Sequence, residues 1–300
     1  MKQTILLIII LLLSSCTKEI DIINTDIQTE NDIQTTTVPV TVSIDDFSIE
    51  QEEYSTRATE TVANFTNVKA ITLAFYTDEG DELYQETQLR ADNSNYTTFG
   101  VFELELPMGS YSMVVLGYGS TSPITLNSKT EAIYPTSEHV RETYIATQDV
   151  DIETTTPVNL NASLNRVNSS LAVTSTDDKT ANATNLRMTF SKGGRGVNPQ
   201  NGLATTNTGF NNTTTLSNYW SGKKTISTSH LFLASDEQEI NVTLDVLDAE
   251  GTSISHKVIN NVPFKRNRRT RLIGSLYTAT SSSATFTIVD EPLTDYELDF

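Results

Sequence analysis

Cysteine is almost absent. One residue in 300 cannot form a disulfide within the chain and cannot build a thiolate zinc site. Histidine is scarce too: His139, His230 and His256 are the only three, they stand far apart, and none falls in an HExxH or other close ligand spacing. Basic side chains are outnumbered, 20 Lys and Arg against 38 Asp and Glu, and the formal charge of −18 repels nucleic acid. There is no GxSxG nucleophile elbow, no GxGxxG and no phosphate-loop Lys-Ser/Thr pair. The loop Gly193-Gly194-Arg195-Gly196 falls short of those patterns and reads as a flexible turn. Asp78-Glu79-Gly80-Asp81 lacks the ligand series and distal glutamate of a calcium loop. The chain is therefore expected not to be an enzyme and to need no metal or cofactor. Long apolar runs are missing as well: the run from Ile5 to Leu13 is shorter than the about 20 residues that span a bilayer as a helix.

That short run has a different reading. Lys2 supplies a positive start, Ile5 to Leu13 the hydrophobic segment, and Leu13-Ser14-Ser15-Cys16 resembles the processing box of bacterial lipoproteins. Residues 1–15 are then a signal peptide, and Cys16 becomes the acylated amino terminus. Acyl chains bury methylenes at about 0.8 kcal/mol each, so more than one chain gives stable attachment to the outer membrane. Thr17-Lys18-Glu19 and Asp21 resemble a short acidic export signal, and the polar stretch 16–37 reads as a tether.

Beyond the tether the pattern is that of strands. Val38-Pro39-Val40-Thr41-Val42-Ser43-Ile44 alternates, with Pro39 placing its start near an edge or end. Further strands are expected at Val68 to Tyr76, Tyr96 to Leu106 and Tyr111 to Tyr118, with a less regular stretch from Thr121 to Thr147. Thr154-Thr155-Thr156-Pro157 marks a crossing. After it come Val158 to Leu164, Leu171 to Val173, Leu186 to Phe190, Leu231 to Leu233, Ile240 to Leu247, Ser253 to Ile259, Thr270 to Tyr277 and Ala284 to Val289, while the Asn/Thr-rich 201–218 region reads as exposed loop. The fold class is all-β: two consecutive β-sandwich domains, 38–156 and 157–300.

Two groups of side chains suit recognition. Trp220, near Phe210 and Tyr219, offers a stacking face for a sugar. Lys265, Arg266, Arg268, Arg269 and Arg271 form one basic cluster in an acidic chain. They either meet an acidic partner or a glycan, or pair with neighbouring acidic strands.

Taken together, the lipoprotein box at Cys16, the first strand followed by Ser55-Thr56-Arg57-Ala58, the Val68 to Gly80 strand and turn, Gly109 to Val115, Leu164-Asn165-Arg166-Val167 and Asn267 to Tyr277 resemble the fimbrillin-like surface lipoproteins of Bacteroidota. That family takes in the major fimbrial subunit and the FimB/Mfa2-type anchors. The resemblance implies transthyretin-like sandwiches, export to the outer-membrane surface, and subunits joined by strand exchange after a protease cuts behind an arginine. Arg57 stands at that position, and the cut would release Val38 to Ile44. The short acidic tail from Glu291 to Phe300 is no obvious donor strand, which leaves anchor, stalk and tip roles open. The expected function is a structural, anchor or accessory component of type V pilus-like fimbriae that supports assembly or adhesion. Its partners would be other fimbrial subunits and a host or bacterial surface ligand, with no nucleic acid. The alternative is a surface carbohydrate-binding lipoprotein.

Overall fold

The computed structural model describes residues 36–49, 58–62, 64–216, 225–278 and 286–292, and every regular element among them is a β-strand. Ten strands occupy the first half: β1 (Thr37–Ile49), β2 (Ala58–Thr61), β3 (Ala70–Thr77), β4 (Glu82–Leu89), β5 (Val101–Pro107), β6 (Gly109–Tyr118), β7 (Thr125–Ser128), β8 (Glu131–Ile133), β9 (Thr143–Ile152) and β10 (Val158–Arg166). Eight of these make one sheet in the order β2-β1-β10-β9-β6-β3-β4, with β5 also paired to β1. β9 and β10 touch only at Asn165↔Ile145 and Arg166↔Tyr144, so the sheet turns a corner there and folds over on itself. Val38, Val40 and Val42 of β1, Phe102 of β5 and Leu164 of β10 then face Ile71, Leu73 and Phe75 of β3 and Met113 and Val115 of β6 in one apolar core.

β3 and β6 are buried on both faces. Their outer side chains, among them Ala74, Tyr76, Val114, Leu116 and Tyr118, pack under β7 and β8 and against Val167, Val197 and Phe232 from later in the chain. This second burial is why Ala70 to Tyr76 and Tyr111 to Tyr118 read as near-continuous apolar runs where a strand with one wet face would alternate.

The second half supplies β11 (Ser169–Ser175), β12 (Asn185–Phe190), β13 (Gly196–Val197), β14 (Phe210–Thr215), β15 (Thr225–Leu231), β16 (Glu237–Leu247), β17 (Ser253–Lys265), β18 (Arg268–Gly274) and β19 (Thr287–Pro292). Two four-stranded sheets, β15-β11-β18-β19 and β14-β12-β16-β17, enclose a core that includes Leu171, Val173, Met188, Phe190, Leu244 and Leu272. β13 pairs instead with β8, completing a three-stranded sheet with β7. The described residues lie within one compact unit, Thr36–Phe300.

Two expectations are corrected by this arrangement. Val158 to Leu164, expected to open a second domain, is hydrogen-bonded into the first sheet because β10 runs parallel to β1 from Val40↔Val158 to Ser48↔Asn165. Gly193 to Gly196 is buried rather than a flexible turn: a side-chain carbon added at Gly194 would meet the Thr206 carbonyl at 2.5 Å, and one at Gly196 the Thr205 hydroxyl at 2.5 Å. At Gly194 the backbone of Thr206 comes closer than a Cβ allows, so glycine is required there, whereas at Gly196 the crowding atom is a side-chain hydroxyl.

Candidate functional site

The alternation of Val38, Val40, Val42 and Ile44 puts four β-branched side chains on one face of β1, all of them buried, while Thr37 and Pro39 point outward. Burial of such side chains stabilises by about 1.5–3 kcal/mol each. Along one edge β1 pairs antiparallel with β5, from Thr37↔Pro107 to Ser43↔Val101, and then with β2, from Asp46↔Thr61 to Ile49↔Ala58. Its other edge pairs with β10. The Ile44 N–H donates to the Gly100 carbonyl at 2.9 Å, so the even residues direct their backbone groups at β5 and the odd ones at β10. Pro39, which has no N–H, thus faces the β10 side one residue before pairing begins at Val40. The proline costs no ladder bond, and it lies near an end of the strand, as expected.

β1 therefore fills a slot between β5 and β10, over an apolar floor. Gln88 is buried at the end of β4. Its amide donates to the Val101 carbonyl at 2.8 Å and accepts from the Gly100 N–H at 2.8 Å, tying β4 to the start of β5. Arg90 ties in the segment after β2: it donates to the carbonyls of Val68, Val62 and Phe65 at 2.7–3.0 Å and lies over the Phe99 ring, 4.1 Å from its centroid. Cys16, Arg57 and Trp220 lie outside the described residues, but Arg57 immediately precedes β2, whose first residue is Ala58.

The basic cluster is engaged within the chain. Lys265 pairs with Glu237 at 3.1 Å and Arg266 with Asp236 at 2.8 Å, while Arg266 also donates to the Asn201 carbonyl at 2.9 Å. On β18, Arg268 reaches Asp290 at 2.6 Å, Arg271 reaches Glu291 at 2.7 Å and Thr174 at 3.2 Å, and the buried Arg269 lies 3.9 Å from the same Glu291 and 3.4 Å from Ser170. Of the readings the sequence allows, the geometry realises cross-strand pairing. Its product is the docking of β19, an edge strand with little buried surface whose carboxylates face the arginines of β18.

Two anchoring residues carry no signal in the sequence. Asp177, just after β11, takes hydrogen bonds from the Ser275 and Thr278 hydroxyls and from the backbone N–H groups of Leu276, Tyr277 and Thr278, all within 2.7–3.0 Å. Partial burial pushes this carboxyl up, but the hydrogen bonds from Ser175, Ser275, Thr278 and Leu276 outweigh it and hold the group well below the usual carboxylate range. Arg195 joins the two halves. Its guanidinium donates to the carbonyls of Pro135 and Glu138 and lies 5.7 Å from the Phe210 centroid, and burial lowers its pKa against the opposing pull of Glu138. The histidines serve local bonding: His230 meets Asn168 at 2.9 Å and His256 meets Asp245 at 2.6 Å.

No curated protein matches this sequence. Among solved structures, a candidate adhesin from Bacteroides ovatus superposes with a TM-score of 0.51 at 12% identity, covering 87% of this chain and 97% of that one. The fimbrial anchor protein Mfa2 from Porphyromonas gingivalis gives 0.47 at 11% identity, over 86% and 98%. A fimbrial assembly protein from Parabacteroides distasonis gives 0.41 at 12%, over 85% and 95%. The first of these shares the fold. A sequence model described as "Family of unknown function (DUF6562)" matches residues 119–297. That span is more than half of the chain, and the chain belongs to this family.

Proposed function

We propose that this protein is a structural subunit of cell-surface fimbriae, exported as a lipoprotein through Cys16 and serving assembly or adhesion at the outer membrane. The observation that carries the reading is the position of β1. It is the first described strand, it alone fills the slot between β5 and β10, and its four inward side chains are all buried. A strand in that place can be replaced by one from another chain, because ladder hydrogen bonds are independent of sequence and alternate side chains fill the same pockets. The connection between β1 and β2 contains Arg57, so cleavage there would free β1 with its tether and leave Ala58 as the new terminus. The fold shared with a candidate adhesin supports the surface role.

With β1 retained, the chain is an anchor or accessory subunit whose slot stays closed. With β1 removed, it is a polymerising subunit. Intact-mass and amino-terminal analysis of the protein taken from its native host's surface separates these. An acylated chain starting at Cys16 supports the anchor form, one starting at Ala58 supports polymerisation, and an unacylated chain retaining residues 1–15 overturns the lipoprotein reading.

A further inference from the structure

The surface sinks into a shallow depression of about 540 Å³ where the β7–β8 hairpin meets the loop between β13 and β14. Polar groups dominate its wall. Asn198 Oδ1 accepts the Gln200 N–H at 3.0 Å and Asn201 Oδ1 accepts the Leu203 N–H at 2.9 Å. With both carbonyl oxygens held by backbone, each amide keeps its Nδ2 as a fixed donor. The lining also includes the Glu131 carboxylate, whose Oε2 takes a hydrogen bond from Asn127 at 2.9 Å. Ser128 and Thr130 add hydroxyls, which meet each other at 3.2 Å, and Leu203 and Ala234 add apolar surface. Arg266 steadies the rim through its bond to the Asn201 carbonyl and is itself held by Asp236.

We propose that this depression binds a neutral saccharide. A pyranose presents neighbouring hydroxyls that each donate and accept, which suits a lining that holds both amide donors and a carboxylate acceptor, and its C–H face suits the apolar side chains. The wall carries one anionic side chain and no cationic one, so an acidic sugar is disfavoured. An open, shallow site gives a single sugar a Kd on the order of 1 mM, and repeated copies along a surface multiply that into useful avidity. The site goes beyond the β1 slot and does not depend on it.

The test is saturation-transfer NMR on the full chain with the methyl glycosides of glucose, galactose, mannose and N-acetylglucosamine, and glucuronic acid as the charged comparison. At least one neutral glycoside should show transfer, shift backbone resonances within 128–131 and 198–205, and lose about tenfold in affinity in Glu131→Ala, a half-exposed position. Absence of transfer from all four, stronger binding of glucuronic acid, shifts confined elsewhere, or unchanged affinity in folded Glu131→Ala would overturn the proposal. The shift map on the unaltered chain decides the matter even should the variant not fold.

Discussion

Thr278 meets Asp177 twice, through its backbone N–H at 2.8 Å and its hydroxyl at 2.7 Å, although a hundred residues of chain lie between them. The carboxylate thereby fixes the segment after β18 to the end of β11, and it supplies acceptors that three consecutive backbone N–H groups would otherwise lack.

Asp177→Asn should lower stability by about 2–3 kcal/mol at neutral pH, since the amide accepts fewer of these bonds and brings two donors with no matching acceptors. The folded carboxyl lies below its unfolded value, so its contribution is complete above the unfolded pKa of about 4 and falls away as pH drops through the folded one. Urea denaturation across pH should show the gap between the two proteins narrowing below about pH 4. A constant gap would show that the charge is irrelevant.

Val42→Asp puts a carboxylate into the core beneath β1 and should cost about 4 kcal/mol or more, whereas Thr41→Asp on the outward face should change stability by less than about 1 kcal/mol. Equal denaturation midpoints for the two would place β1 outside the cooperative core.

Arg271→Gln removes two bonds to Glu291 and one to Thr174. β19 has little apolar burial to hold it otherwise, so hydrogen exchange in Thr287–Pro292 should accelerate severalfold while β16 stays protected. High salt should produce a weaker version of the same change, because these pairs are only partly buried.

Arg195→Lys keeps the charge but not the planar fork that reaches both Pro135 and Glu138 while lying over Phe210, and should cost about 2 kcal/mol. Gly194→Ala should cost as much or more through its clash with Thr206. Thermal melts of both variants check this, and wild-type values would remove Arg195 from its role as the joint.

Much of the β pattern was legible because alternation is a local property. β1, β6, β12 and the start of β16 follow from apolar spacing within a few residues. What sequence could not show is which strands become neighbours. β10 alternates as cleanly as a strand opening a new domain would, and only its parallel pairing with β1 assigns it to the first sheet. β4 leaves no such pattern because, as an edge strand rich in Glu and Gln, it buries only Gln88 fully, with Tyr84 and Leu89 partly buried. β14 reads as exposed loop because Asn211 to Thr215 is polar, yet Asn212 is buried against Ser229 at 2.5 Å. The basic residues of β18 were recognised, but their use depended on Asp290 and Glu291 arriving from twenty residues later. Asp177 carries no local mark, since its partners from Ser275 to Thr278 lie about a hundred residues away, and the glycine loop around Arg195 says nothing of the carbonyls of Pro135 and Glu138 that its side chain reaches.

The proposed function rests on β1 being an exchangeable strand in its slot. It is tested most directly by cutting the chain after Arg57 with an arginine-specific protease and adding a fluorescent peptide of residues 37–49. The cut chain should take up the peptide in place of its own strand, a Val42→Asp peptide should be rejected, and the uncut chain should take up neither. Failure of the cut chain to bind the native peptide, or equal binding of both peptides, would contradict it.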